Sequence, residues 1–311
     1  MIKMELKPTV KDITDDPLCA VDFIVGRASE DRSNVCLLND QIKMYAVYDG
    51  HGGYQVANCL KEKFPQKLAQ ALVDVDFDDE KKVKERIRNA FIEFDSEIKD
   101  RILCVSSYVG STAIIALSRD SKTYLAHVGD SRAILVDHNG ELLMATNDHD
   151  GHNQSEVHRI TNLGGWVSEG TIPRVSGSLA VTRAFGDYCF KTYLGEYRSD
   201  WYVSVIPKIS VFNRGKSSPV APCDSSRGEI SPVFLLLASD GLWNDKYKDS
   251  LNVIKMIAMT EEKSETEQLS VNFKQQIKGD LKQLCHKITQ KGYQNYDGWK
   301  DDITVIIAHI D

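Results

Sequence analysis

None of the seven cysteines lies in a C-x-x-C pair, and their number is odd. Cys19, Cys36, Cys59, Cys104, Cys189, Cys223 and Cys285 are scattered along the chain. Neither a disulfide framework nor a zinc site fits that pattern, so a reducing compartment is expected. No cysteine is followed by arginine six positions later, which argues against a thiolate nucleophile held in a phosphate-cradling loop. No apolar run approaches the roughly 20 residues that span a bilayer. Positive charge is also in short supply: 38 Lys and Arg stand against 45 Asp and Glu, a net charge of −7. Phosphate backbones need basic surface, and no basic–aromatic stripe is present, so nucleic acid is not an expected partner. The opening Met1-Ile2-Lys3-Met4 has no apolar signal core and no glycine after the initiator, so neither secretion nor N-myristoylation is expected. These absences together predict a cytoplasmic or nuclear protein without membrane insertion. No internal repeat is found.

What remains is an ordinary globular composition, 42% hydrophobic and 27% charged over 311 residues, enough for one large domain or two small ones. Short apolar runs predict strands at Ala20–Gly26, Asn34–Leu38, Met44–Tyr48, Ser111–Leu117, Lys122–Val128, Arg132–Val136, Val233–Ala238 and Thr304–His309. Val203–Phe212 is strand-like with a break at Pro207, and Asn139-Gly140 signals a hairpin turn. Tyr54–Ala71 is predicted helical, with Pro65 expected to end or kink it. In Glu80–Ile102, Val83, Ile87, Phe91, Phe94, Ile98 and Ile102 form one apolar stripe. A short helix is expected at Glu156–Leu163, and Ser250–Lys291 is helical in pattern and highly charged. Hairpin-linked strand runs with helices between them predict antiparallel sheets flanked by helices, not a doubly wound parallel sheet. The segment Asn213–Ile230, rich in Ser, Pro and Gly, lies between two strands and reads as a surface excursion of a single domain, 1–311.

Asp49-Gly50-His51-Gly52-Gly53 follows the predicted strand Met44–Tyr48. It places a carboxylate and an imidazole on a turn whose glycines let backbone approach a ligand. By itself the turn fits a hard-metal loop or a plain turn into a helix. Four more acidic positions occupy ends of predicted strands: Glu30-Asp31, Asp130, Asp240 and Asp301-Asp302. Carboxylates converging without cations repel one another and lose hydration. A pair of Mg²⁺ or Mn²⁺ ions, which prefer carboxylate, carbonyl and water ligands, removes that objection. Two such ions about 4 Å apart can clamp a phosphoryl group and activate water.

DGHGG, GSTA (Gly110–Ala113), GDSR (Gly129–Arg132), RVSGSLAVTRAFGD (Arg174–Asp187), ASDGLW (Ala238–Trp243) and DDITV (Asp301–Val305) occur in this order. Together they closely resemble the metal-dependent serine/threonine protein phosphatases of type 2C, over about Val21 to Ile310. The resemblance implies an α+β fold, a four-layer α-β-β-α sandwich of two antiparallel sheets with a dinuclear site at one end. By position it implies that Asp49 bridges two Mg²⁺ or Mn²⁺ ions and that Gly50 offers its carbonyl. Asp240 and Asp301 would hold one ion, while Glu30 with Asp31 would support the other. A water or hydroxide between the ions would attack phosphoserine or phosphothreonine of a protein substrate, with His51 as the general acid. A monomer is expected.

Departures from the family pattern carry their own expectations. Arg27 is the candidate phosphate ligand, though the interval to Glu30-Asp31 is about one residue shorter than usual; Arg32 is the substitute. Asn244 stands where Asp often joins the equivalent of Asp130 at a weaker third metal, so that site is expected to be weakened. Asp302 stands where Asn is commoner, a change expected to be tolerated beside the metals. In Asp148-His149-Asp150-Gly151-His152, a solvated turn is expected over a histidine metal site. Ser111 and Thr112 are expected to pack or hydrogen-bond, and Arg183 and Asp187 to form a structural ion pair or a supporting contact. The alternative to an enzyme is a catalytically weak pseudophosphatase serving as a protein-binding module.

Overall fold

The computed structural model describes residues 7–26, 28–214, 233–243, 249–258, 280–294 and 301–310. Two antiparallel sheets form its centre. The first has six strands, in spatial order Val10–Asp12, Arg32–Leu38, Ile42–Tyr48, Ala113–Arg119, Lys122–Val128 and Lys208–Asn213. The second has five: Leu142–Ala145, Arg132–Val136, Val233–Ala238, Ile303–Ile310 and Cys19–Ile24.

The layering follows from period-two alternation on strands that are buried on both faces. In Ile42–Tyr48, Tyr45 and Val47 point between the sheets, where they meet Ile114, Leu125, Leu235, Leu237 and Ile306. Met44, Ala46 and Tyr48 point the other way, into a core shared with the helices Gln55–Leu72 and Glu80–Leu103. Phe234, Leu236 and Ala238, with Ile303, Val305 and Ile307, face the helices Ser250–Ala258 and Leu281–Gln294. Three apolar cores between four layers give the α-β-β-α sandwich that the sequence leads one to expect. The double burial explains why these strands read as nearly unbroken apolar runs.

Pro65 does not end its helix, which continues from Gln55 to Leu72. A proline inside a helix costs about 3 kcal/mol. Leu60, Phe64, Leu68 and Leu72 are all buried on one side of this helix. At roughly 1.5–3 kcal/mol for each buried side chain, that stripe outweighs the lost bond. The helix Glu80–Leu103 begins at an Asp79 cap, whose side chain accepts from the Lys82 N–H at 3.1 Å. The predicted strand Ser111–Leu117 is interrupted: Gly110–Ser111 pairs with Gly50–His51 and with Phe185–Gly186, and Ala113–Arg119 joins the large sheet. Val203–Val205 is not strand, and only Lys208–Asn213 pairs. The excursion expected at 213–230 lies outside the described residues beyond Arg214. Most of the region between Ser250 and Lys291 that falls between the two described helices is outside them as well.

Candidate active site

Register carries the acidic strand ends to one end of the sandwich. Ala238 pairs with Val305 on one side and Arg132 on the other. This puts Asp240, Asp301 and Asp130 at neighbouring ends of three strands. Tyr48 pairs with Arg32, so Asp49 lies beside Glu30 and Asp31. The carboxylates register one another electrostatically. Burial first, and then the Asp31, Asp240, Asp130 and Asp301 charges, push Asp49 well above the usual carboxylate range. Burial and the Asp240 and Asp148 charges do the same to Asp130. Asp31 is pushed up to about 7, chiefly by burial, although hydrogen bonds from Ser239 and Thr304 oppose the shift. Asp240 is pushed up to about 6 by burial and Asp301, and shares a hydrogen bond with Asp49. Asp301, which is exposed, and Glu30 are also raised, again mainly by desolvation.

Whether these residues suit divalent cations is a question of charge balance. Among the described residues, no lysine or arginine forms an ion pair with Glu30, Asp31, Asp49, Asp130, Asp240 or Asp301. The Asp240 Oδ1 is buried with no hydrogen-bond partner. No three described acidic or imidazole side chains are drawn to the spacing of a closed ligand shell. The crowding raises the carboxylates together, and Asp49 and Asp240 come within hydrogen-bond reach of each other. A hard-oxygen donor set with an orphaned oxygen, and no lysine or arginine paired to it among the described residues, fits Mg²⁺ or Mn²⁺.

The backbone around Asp49 is fixed by the other motifs. Thr112 Oγ1 accepts from the Asp49 N–H at 3.2 Å, and the Thr112 N–H donates to the Asp49 carbonyl at 2.8 Å. Thr112 Oγ1 also lies 2.7 Å from Ser131 Oγ, so GSTA and GDSR together seat the aspartate. Ser111 and Thr112 thus have the hydrogen-bonding roles expected of them. Gly129, at φ +91°, passes so close that a Cβ there would meet Thr112 Cγ2 at 2.6 Å. At Gly50 a Cβ would meet the Glu30 carbonyl at 2.9 Å.

His51 has the partner that sequence reasoning gave to Arg183. Its Nε2 lies 2.7 Å from Oδ2 of Asp187, which is 1% exposed, while the His51 ring keeps 25% of its surface. Burial alone would lower the histidine pKa. The charge and hydrogen bond of Asp187, with Glu30 adding to them, reverse this and hold it above the ordinary value. Arg183 instead makes a two-pronged contact with the buried Glu156, at 2.9 and 2.5 Å, beside Arg159. The expected Arg183–Asp187 pair therefore does not form. The supporting contact made by Asp187 is to His51, which the spacing of RVSGSLAVTRAFGD could not reveal because the partners are 136 residues apart.

Three further expectations change. His149 is buried, not solvated: it stacks on His127 at 4.3 Å between ring centroids, and burial keeps both imidazoles neutral at ordinary pH. His152 is exposed and bonds Asp150 at 3.1 Å, as a turn residue should. Arg32 is no free phosphate ligand. Its guanidinium contacts the Asn58 side chain and donates to the carbonyls of Ser29 at 3.0 Å and Asp31 at 2.6 Å. Asp302 is more than a tolerated neighbour, because its carboxylate accepts from four backbone N–H groups of the segment carrying Glu30 and Asp31. Arg27 and Asn244 lie outside the described residues.

The fold and the gathered acidic strand ends, with a carboxylate-braced histidine beside them, are the pattern of one protein family. The family comparison agrees: residues 23–288 match the model of the protein phosphatase 2C family, and the chain belongs to that family. It is 32% identical over 233 residues to protein phosphatase 1L of Bos taurus, covering 72% of this chain and 59% of the relative. It is 30% identical over 273 residues to protein phosphatase 1A of Homo sapiens, covering 85% and 61%. The chain thus spans about three-fifths of the length of these curated relatives. A phosphatase crystal structure from Toxoplasma gondii superposes with a TM-score of 0.70 at 22% identity, covering 96% of this chain and 94% of that one, a likeness of fold.

Proposed function

We propose that this chain hydrolyses phosphoserine and phosphothreonine on protein substrates, using two Mg²⁺ or Mn²⁺ ions held at the acidic end of the sandwich. The observation that carries the reading is the juxtaposition of unneutralised carboxylates with the His51–Asp187 pair. Asp49 would bridge the ions with the Gly50 carbonyl beside it, Asp240 and Asp301 would hold one, and Glu30 with Asp31 would support the other. Asp130, next to Asp240 and Asp148, is the candidate for a weaker third ion. When bound, the ions would neutralise phosphoryl oxygens and acidify the attacking water.

The protein's own residues supply the rest. With Nε2 engaged by Asp187, the other ring nitrogen of His51 is free to protonate the departing serine or threonine oxygen. Such a general acid contributes about 10²–10⁴-fold. Phosphate monoester hydrolysis can need up to ~10²¹-fold, so the larger share rests on charge neutralisation at the carboxylate end. Arg27 remains the candidate phosphate ligand, since Arg32 is engaged in holding backbone. The binding-module alternative gains no support, because such a module has no use for Asp49, His51, Asp240 and Asp301 in these places.

Purified protein with Mn²⁺ should hydrolyse p-nitrophenyl phosphate and phosphopeptides, and EDTA should stop it. No turnover with either metal between neutral and mildly alkaline pH would overturn the reading.

A further inference from the structure

Asp302 and the segment leading to Glu30-Asp31 meet at one place. Asp302 is 4% exposed and opens the strand Ile303–Ile310. Its Oδ1 accepts from the N–H groups of Gly26 at 2.6 Å and Ser29 at 3.3 Å; its Oδ2 accepts from Glu30 at 2.5 Å and Asp31 at 3.2 Å. Ser29 takes a left-handed φ of 55°, which turns successive N–H groups inward to make a concave anion nest. Arg32 grips the same segment through its carbonyls, those of Ser29 and Asp31, while Asn58 and the Tyr54 ring hold the guanidinium from behind.

We infer that Asp302 and Arg32 are positioning residues, an opposite-charge clamp that fixes the backbone from which Glu30 and Asp31 reach the cations. The inference rests on the two-metal reading above. The segment's N–H groups go to the anion and its carbonyls to the cation, so its direction is set before any ion binds. Asp31 is then pinned at its tip, where Ser239 Oγ donates to Oδ2 at 2.7 Å. The Ser239 oxygen accepts in turn from the Thr304 N–H at 3.0 Å. The ASDGLW turn closes against the same aspartate: a Cβ on Gly241 would meet the Asp302 carbonyl at 2.2 Å.

The chemistry calls for a carboxylate. Four donors converge on two oxygens, and charged acceptors bind backbone N–H groups more strongly than neutral ones. An asparagine offers one oxygen, and its NH₂ would face two N–H groups with nothing to accept. The four N–H groups gathered at this point therefore call for the aspartate.

The test is metal affinity of the metal-free protein, read by calorimetry with Mn²⁺ and by the rise in melting temperature that Mn²⁺ produces. Asp302→Asn should weaken Mn²⁺ binding about 10–100-fold, the range seen when partners that orient metal ligands are lost. The kcat at saturating Mn²⁺ should stay within about threefold of the parent. Arg32→Gln, at a half-exposed position, should weaken binding in the same direction and serves if the Asp302 variant does not fold. Unchanged Mn²⁺ affinity in a folded variant overturns the clamp, as does a fall in kcat that saturating Mn²⁺ fails to restore. A parent protein that binds no Mn²⁺ would overturn the two-metal reading itself, a result distinct from either.

Discussion

Replacing Asp187 by asparagine is the sharpest probe of the proposed general acid, His51. The perturbation is small. Asp187 sits at φ 52°, and asparagine tolerates the left-handed region. Its N–H bond to the Val109 carbonyl, at 2.9 Å, survives the change. What disappears is a buried negative charge 2.7 Å from His51 Nε2. Unit charges 4 Å apart interact by about 4 kcal/mol at an effective dielectric of about 20. Part of that is already spent against the burial that lowers the histidine pKa. With that charge gone, burial acts unopposed by Asp187 and the imidazolium loses its main support. An asparagine NH₂ at the Oδ1 position would find no acceptor, since that oxygen is buried without a partner. Turned the other way, it would donate to Nε2 and hold the ring neutral. Either orientation disfavours the imidazolium. The kcat for a phosphoserine peptide near pH 7 should therefore fall about 10–100-fold, within the ~10²–10⁴ that a general acid supplies. Turnover of p-nitrophenyl phosphate should fall less than about threefold, because nitrophenolate departs without a proton. Mn²⁺ affinity should not change. An equal fall on both substrates, or a weakened Mn²⁺ isotherm, would refute the assignment of Asp187 to His51 and of His51 to the leaving group.

Two other perturbations test the site from different sides. In Gly110→Ala the new Cβ would meet Asp187 Oδ2 at 2.1 Å and His51 Nε2 at 2.3 Å. It should part the pair and reproduce the leaving-group dependence of Asp187→Asn, measured with the same two substrates. Mn²⁺ binding should strengthen as pH rises from about 6 to 8. The raised carboxylates, Asp240 near 6 and Asp31 near 7, hold protons below those values, and metal ligation requires their release. Calorimetry in buffers of different ionisation enthalpy should register protons leaving on binding, and a pH-independent isotherm with no proton release would count against carboxylate ligation.

The sequence made the sandwich and the acidic strand ends legible because both are local patterns. Apolar runs of five to seven residues mark strands buried on both faces, and a carboxylate at the end of such a run is visible without knowing the strand's neighbours. Pairings across the chain were not legible. Asp187 meets His51 from 136 positions away, and Asp302 meets Gly26 from 276. Both were read from what stands next to them, Asp187 as a partner for Arg183 and Asp302 as a bystander to Asp301. His149 misleads for a related reason. A turn rich in Asp, Gly and His reads as solvated, but its neighbour His127 comes from a strand of the large sheet and covers it. Pro65 shows the limit of propensity, since tertiary burial of the flanking stripe overrode a strong helix breaker.

The two halves of the proposed chemistry hang from different parts of the fold. The carboxylates are set by strand register and by Thr112, Ser239 and Asp302, all within the sandwich. His51, the proposed general acid, depends on a separate support running through the helix Glu80–Leu103. Asp95 of that helix, fully buried, accepts from the Gly186 N–H at 2.7 Å, directly before Asp187. The same carboxylate takes the buried Lys191 ammonium at 2.8 Å and the Tyr197 hydroxyl at 2.7 Å, and Lys191 also donates to the Ala184 carbonyl at 2.7 Å. A buried ion pair contributes little net stability over an apolar equivalent. Its value here is geometric: every hydrogen bond it makes fixes the stretch from Ala184 to Tyr197, and thereby the direction from which Asp187 meets His51. Damage to Asp95 should follow the leaving-group signature of Asp187, whereas damage to Asp302 should follow metal concentration. That separation would not arise if one rigid core held both.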